Sequence, residues 1–288
     1  MTDRISQLRR ERLWRLAHGR SLPLGGTGHL MAIVNVTPDS FSDGGDHAVS
    51  AAAIKHAMRC VEEGAAILDI GGESTRPGAA PVSPAQEQDR ILPVIEALAK
   101  VDAALISVDT YRARTAELAI AAGAHIVNDV WGAQREPEIA AVAARTGAGL
   151  CLMHTGRERE RLADVIDDQR FFLQRSLDIT DAAGVERERI VLDPGFGFAK
   201  ETPEANLELM ARMAELGAFD LPILAGTSRK RFLGSITGRE ARERDVATAA
   251  TTALLRMKGA AIFRVHNVAF NRDALAVADA MLPFESRL

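Results

Sequence analysis

Cysteine is scarce: only Cys60 and Cys151 occur in 288 residues, and they form no C-x-x-C pair. That excludes a disulfide-stapled scaffold and a zinc ribbon, and it suits a reducing, cytoplasmic compartment. No apolar run reaches the roughly 18 to 20 residues of a membrane span. The stretch from Met1 to Arg20 is charged throughout and lacks the apolar centre of a signal peptide. Neither sign of charge dominates, since 35 basic and 39 acidic residues leave a net charge of −4. A chain-wide nucleic-acid footprint needs a strong basic excess and is excluded. Aromatic residues make up only 5%. With 47% hydrophobic and 26% charged residues, the chain is globular, not collagen-like, coiled-coil or disordered.

What the chain does have is a recurring short apolar run. The runs are Met31–Val36, Ala66–Ile70, Leu105–Val108, His125–Asn128, Gly149–Met153, Ile190–Leu192, Pro222–Ala225 and Ala261–Val265. Each is about five residues, a normal strand length. Several are apolar on consecutive positions, which suits a parallel sheet buried on both faces. Helical segments lie between them. Ser83-Pro84-Ala85-Gln86 reads as a capping box with proline at the first helical position. Thr202-Pro203 opens another helix, and Asp245 caps a third that stops at Gly259. Strands alternating with helices make a doubly wound sheet or a (β/α)8 barrel. Eight units in about 255 residues favour the α/β TIM barrel as a single domain. Residues 28–288 are assigned to that barrel and residues 1–27 to an N-terminal extension. The extension reads as a short basic helix carrying Ile5, Leu8, Leu13 and Leu16, then a Gly-rich lead-in. The Arg157–Arg161 stretch reads as a solvated helix start or loop.

Active sites of such barrels lie at the C-terminal ends of the strands. Nearly every run here ends in a residue that can donate, accept or carry charge. Any one of them could simply cap the next helix; a ring of them on one mouth is harder to explain that way. Asp109, Asn128 and Asp193 would converge as two carboxylates and an amide, suiting a flat ring rich in N–H donors such as an aminopyrimidine. A metal site competes, but His154 and His266 have no neighbouring ligand at metal spacing. Arg229, Lys230, Arg231, Arg264 and His266 gather positive charge near the last two strands, where phosphate sites of this barrel class often lie. A helix beginning near Ser228 would add its amides. The alternative is a solvated basic face, yet Arg264 interrupts an apolar strand and must be paired or face a wet cavity. The segments Val36–Val49 and Gly71–Val82 are long for βα connections and read as lids. Phe41, Phe196 and Phe198 could stack on a planar ring or pack loop on barrel.

These residues also carry a family resemblance. Asn35-Val36-Thr37-Pro38-Asp39-Ser40-Phe41-Ser42-Asp43-Gly44-Gly45 resembles the first signature of dihydropteroate synthases. Gly71-Gly72-Glu73-Ser74-Thr75-Arg76-Pro77-Gly78 resembles the second. Ser107-Val108-Asp109-Thr110, Asn128-Asp129-Val130, Leu152-Met153-His154, Asp193-Pro194-Gly195-Phe196-Gly197-Phe198, Gly226-Thr227-Ser228-Arg229-Lys230 and Arg264-Val265-His266 follow in family order. The resemblance implies a cytoplasmic transferase of folate biosynthesis. It would join 6-hydroxymethyl-7,8-dihydropterin diphosphate to 4-aminobenzoate, giving 7,8-dihydropteroate and diphosphate. It also implies Mg2+, a homodimer and competition by sulfonamides. By the same resemblance, Asp109, Asn128, Asp193, Phe198, Gly226, Lys230 and Arg264 would hold the pterin. Asn35, Thr75, Arg264 and His266 would hold the diphosphate, with Asn35 on the metal. Thr37, Pro38, Phe41, Thr75, Arg76, Pro77, Phe196, Ser228, Lys230 and Arg231 would surround the aminobenzoate. Asp109, Asp193, Lys230, Arg264 and His266 would carry the chemistry.

The chain departs from the family pattern in places. Arg231 stands where many members have serine, and Asn267 where Asp is common. Thr155-Gly156 follows His154 in place of Met-Gln-Gly, and Ala199 replaces a glycine. Two alternatives are a non-catalytic pterin-binding paralogue and a pterin-dependent methyltransferase acting with a corrinoid partner. Both signatures are complete here, which favours neither. A phosphate-binding barrel isomerase would not explain the Asp109, Asn128 and Asp193 floor.

Overall fold

The computed structural model describes residues 2–37, 46–73 and 82–285. In chain order the elements are α1 (Thr2–Leu8), β1 (Arg12–Arg15), β2 (Ser21–Leu24), β3 (His29–Asn35), α2 (Asp46–Glu62), β4 (Ile67–Gly71) and α3 (Pro84–Val101). Then come β5 (Leu105–Asp109), α4 (Ala113–Ala121), β6 (Ile126–Asp129), α5 (Glu138–Thr146), β7 (Gly149–Met153), α6 (Val165–Ala182), β8 (Ile190–Asp193) and α7 (Pro203–Arg212). The last are β9 (Leu224–Ala225), α8 (Arg231–Thr237), α9 (Asp245–Met257), β10 (Ile262–Val265) and α10 (Val268–Glu285). Strands β3 to β10 are all parallel, in the order β8-β7-β6-β5-β4-β3-β10-β9. A bridge between Leu192 and Ile223 brings the two ends of that sheet together. This is the (β/α)8 barrel expected from the alternation, and all eight apolar runs contribute a strand.

The runs are apolar on consecutive residues because the strands bury both faces. One set of side chains, including Leu30, Ala32, Val34, Leu68, Ile70, Ile106, Val108 and Val127, packs outward under the helices. The other set, Met31, Ile67, Leu105, Ile126, Cys151, Val191, Leu224 and Ile262, forms a second apolar cluster within the barrel. The capping box is present: Ser83 Oγ accepts from Gln86 N at 3.2 Å, and Gln86 Oε1 accepts from Ser83 N at 3.1 Å. Thr202 likewise caps α7 through Ala205 N.

The N-terminal reading needs correcting. Helix α1 ends at Leu8, and Leu13 and Leu16 do not continue it. The chain turns into an antiparallel hairpin, with Trp14 opposite Leu22. Trp14, Leu16, Leu22 and Leu24 join the apolar cluster at the start of the barrel strands. Ala17 N donates to His125 O, just before β6. The hairpin therefore stoppers the end of the barrel opposite the mouth. Among the described residues, no helix is long and apolar enough to cross a membrane.

Candidate active site

Register places the polar residues. One hydrogen-bonding row runs Asn35–Gly71–Asp109–Asn128 across β3, β4, β5 and β6. Below it lies Asp69, paired in register with Ser107. Met153 pairs with Asp193 on β8, and Arg264 enters from β10. Asp109, Asn128, Asp193 and Arg264 are thus gathered at the carboxyl ends of their strands. Two glycines keep space open between them. A Cβ on Gly71 would lie 3.7 Å from Asp109 Oδ2 and 3.9 Å from Asn35 Oδ1. A Cβ on Gly226 would lie 3.8 Å from both Asp193 Oδ2 and Arg264 Cβ.

Arg264 is the hub. Its Nε donates to Asp69 Oδ2 at 2.6 Å and its Nη2 to Asp109 Oδ2 at 2.6 Å. The strand-interrupting arginine is therefore both paired and partly exposed, as the cost of burying a lone charge requires. Asn128 Nδ2 donates to the same Asp69 Oδ2 at 3.1 Å. Burial pushes the Asp109 carboxyl up to about 7, opposed by Arg264 and reinforced by Asp69. Burial also raises Asp193, opposed by Gly195 N, Lys230 and Arg264. The Gly195 N–H donates to Asp193 Oδ1 at 2.7 Å. Burial lowers the Lys230 ammonium to about 7, with Asp193 resisting. Lys230 Nζ also sits 3.9 Å from the centre of the Phe198 ring.

The anion side is assembled differently from the sequence reading. Ser228 Oγ lies 2.9 Å from His266 Nδ1 and accepts from His266 N at 3.1 Å. Ser228 is buried and holds the histidine. Arg229 does not join the mouth; its guanidinium grips Asp245 at 2.7 and 2.8 Å. The helix expected near Ser228 begins at Arg231, with Lys230 at its N-cap. Arg231 is exposed at its first turn, and Thr37 is partly exposed just beyond β3. Phe196 is not a stacking residue: it is 0% exposed and packs towards Phe232 in the core. Of its two flanking candidates only Phe198 faces the site. Pro38, Phe41, Thr75, Arg76 and Pro77, with most of both long loops, lie outside the described residues.

The Arg157–Arg161 stretch is not a solvated loop. Arg157 Cζ lies 4.6 Å from the Phe198 ring centre. Arg159 pairs with Asp168 at 2.6 and 2.8 Å. Arg161 donates to the Ala199 carbonyl. Arg157 and Arg161 thus tie the loop after β7 to the loop after β8, which carries Phe198, while Arg159 ties it to α6. Beneath them, His154 Nε2 lies 3.0 Å from Asp168 Oδ2, and Lys200 Nζ donates to Gly195 O at 2.9 Å. Sequence reasoning also gave Asp69 no role. Its signal was a lone carboxylate inside an apolar strand, the same signal that singled out Arg264.

Residues 31–266 match the family profile described as pterin binding enzyme. The dihydropteroate synthase of Bacillus subtilis is 45% identical over 253 residues, covering 88% of each chain. A Xanthomonas albilineans dihydropteroate synthase solved with 4-aminobenzoic acid superposes with a TM-score of 0.88 at 42% identity. It covers 94% of this chain and 98% of its own. The Yersinia pestis enzyme, solved as a sulfonamide drug complex, gives a TM-score of 0.85 at 40% identity, covering 93% and 98%.

Proposed function

On the premise that the chain belongs to the pterin-binding enzyme family, as a dihydropteroate synthase, we propose how its own residues carry the reaction. The substrates are 6-hydroxymethyl-7,8-dihydropterin diphosphate and 4-aminobenzoate, and the products are 7,8-dihydropteroate and diphosphate. The observation that carries the assignment of roles is the convergence of Asp109, Asn128 and Asp193 around Arg264, with Gly71 and Gly226 leaving room between them. Three acceptors match the amino and ring N–H groups of a dihydropterin. Arg264 takes only Oδ2 of Asp109, so Oδ1 remains for the ligand. Lys230 meets the carbonyl side of the ring, and Phe198 and the Arg264 guanidinium line its faces.

The bond that breaks joins the pterin methylene carbon to the diphosphate oxygen, which leaves with the electron pair. Arg264 and His266 face the developing negative charge. The remaining cation is delocalised over the pterin ring, and Asp109 and Asp193 favour it when ionised. The aminobenzoate nitrogen then bonds to the methylene carbon and gives its proton to solvent. No protein nucleophile takes part. By the resemblance, Arg231 and Thr37, exposed and partly exposed, would meet the aminobenzoate.

Mg2+ takes hard oxygen ligands and keeps waters and substrate phosphates in its shell. The space over Gly71 fits that preference, because Asn35 Oδ1 and Asp109 Oδ2 both border it. Among the described residues no group of three His, Cys, Asp or Glu side chains could hold a metal, so the diphosphate itself would supply much of the shell. Asn35 would hold the ion, which when bound would neutralise the leaving group.

A homodimer is supported by an exposed apolar stripe. Phe270, Val277, Met281 and Phe284 on α10 recur at helical spacing. Val246 and Leu254 are exposed on α9, which packs against α10. Such a patch suits a two-fold interface. A cytoplasmic location is supported by two buried free thiols.

The deciding assay is release of diphosphate from dihydropterin diphosphate. Release should require 4-aminobenzoate, stop without divalent metal, and be inhibited by a sulfonamide competitively with aminobenzoate. Pterin binding by folded protein with no diphosphate release would refute the assigned chemistry.

A further inference from the structure

Asp69 has no exposed atom, so no ligand can touch it. It nevertheless holds two residues that form the pocket. Its Oδ2 accepts from both Arg264 Nε and Asn128 Nδ2. A carboxylate only accepts hydrogen bonds. The edge of the Asn128 amide that faces Asp69 is therefore its NH2, and the carbonyl Oδ1 is the edge left for a ligand. An asparagine alone cannot choose between presenting a donor and presenting an acceptor; its buried neighbour decides.

We propose that Asp69 is a positioning residue that sets the ring selectivity of the pocket: by locking the Asn128 amide with its oxygen outward, it selects a ring bearing an amino group over the same ring bearing an oxo group. Its second bond fixes the Arg264 guanidinium edge-on between two carboxylates, at the position given to the pterin face. The proposal rests on the reading that Asn128 meets the pterin.

The proposal can be separated from a merely structural role because the interaction has a polarity. In Asp69→Asn, Arg264 Nε still needs an acceptor at the Oδ2 position, so the new amide keeps its oxygen there and Asn128 still donates to it. The variant also has somewhere to put its NH2. The other oxygen of Asp69, Oδ1, and the Ser107 hydroxyl beside it in register are buried and have no protein partner among the described residues. In Asn128→Asp, two carboxylates face each other where a bond of 3.1 Å now lies. Asp69→Leu removes the acceptor from Asn128 altogether, so the Asn128 amide is free to present either edge to the ligand.

The test is calorimetric binding of 6-hydroxymethylpterin and of its 2-oxo counterpart, 6-hydroxymethyllumazine, to the full chain. The unmodified protein should prefer the pterin by about a hundredfold or more, because a site built on one hydrogen-bond polarity rejects the other. Asp69→Asn should keep that preference, and Asp69→Leu should shrink it to within about tenfold. Asn128→Asp should bind the pterin at least about tenfold more weakly, although it keeps an outward acceptor. Full preference retained in Asp69→Leu, or preference lost in Asp69→Asn, would overturn the role of Asp69. If Asp69→Leu does not fold, unchanged pterin affinity in Asn128→Asp would overturn it instead. Equal binding of the two rings by the unmodified protein would instead sink the pterin reading of the pocket.

Discussion

Lys200 Nζ lies 3.0 Å from Nδ1 of His154, and both side chains are buried. Two cations would not share that distance. Burial holds His154 far below its ordinary range, at about 3, with Lys200 adding to the effect. The imidazole is thus neutral, accepting at Nδ1 and donating from Nε2 to Asp168. Lys200 then bridges His154 to the Gly195 carbonyl and so ties down the loop that carries Asp193 and Phe198.

The first prediction follows from the sign of that burial. Lys200 is pushed down to about 7 from its ordinary 10.5, chiefly by desolvation. Between those values the folded state binds fewer protons than the unfolded state, so stability rises with pH across this window and is lost as pH falls through it. Lys200→Met removes that contribution, while Lys230, lowered to about 7 as well, keeps its own. Urea unfolding from about pH 7.5 to about pH 9.5 should show a shallower rise in the variant, by up to about 1 kcal/mol per pH unit. An unchanged slope would show that Lys200 is charged in the folded state throughout.

Arg264→Ala should be costly twice over. It leaves Asp69 and Asp109 facing each other without their shared cation. Breaking one side of a buried ion pair costs about 3 to 5 kcal/mol, so thermal melting should fall by several degrees or more. Diphosphate release should drop by about 100-fold or more. Arg264→Lys keeps the charge but cannot span both carboxylates, and should recover stability better than rate.

Gly195 has φ +62°, and a Cβ there would run into the carbonyl of His154. Gly195→Ala should therefore displace the Asp193–Phe198 segment. The expected result is a KM for the pterin substrate raised by about tenfold or more, with a loss of stability of about 1 to 3 kcal/mol. Steady-state kinetics with wild-type KM would show that the loop tolerates the shift.

Trp14 separates stability from catalysis. It is fully buried at the closed end of the barrel, and its Nε1 donates to Arg189 O at 2.8 Å. Trp14→Ala should cost about 3 to 5 kcal/mol in urea unfolding. At temperatures where the variant stays folded, kcat should be unchanged, since the hairpin packs at the end of the barrel opposite the described site residues. A large fall in kcat would mean that the hairpin shapes the mouth.

The α10 stripe gives a test of assembly. Val277→Glu places a charge in the middle of the exposed apolar row. Sedimentation should move from dimer to monomer, with secondary structure retained. A variant that still sediments as a dimer would place the interface elsewhere.

The barrel was legible in the sequence because both faces of each parallel strand are buried, which leaves consecutive apolar residues as a trace. The hairpin was not, because Leu13 and Leu16 mimic helical spacing. The informative pattern was the alternation of Trp14 with Leu16 and of Leu22 with Leu24, whose inward faces find a partner only in the closed barrel. At the mouth, Asp109, Asn128 and Asp193 were legible because each ends a strand. Phe196 and Phe198 could not be told apart, since the turn at Gly197 that sends them to opposite sides depends on a positive φ. Arg157 to Arg161 resembled a solvated charge run. Its partners, Asp168, the Ala199 carbonyl and the Phe198 ring, are brought to it only by folding.

The stoppered end of the barrel has a kinetic consequence. With Trp14, Leu16, Leu22 and Leu24 filling the far side, the route left open among the described residues is the mouth. With the pterin deepest and the aminobenzoate at the rim, as proposed above, a bound aminobenzoate would stand in the path of an incoming pterin. Entry from that one side would then impose a queue: pterin diphosphate first, aminobenzoate second. An amine that arrives early can only wait outside.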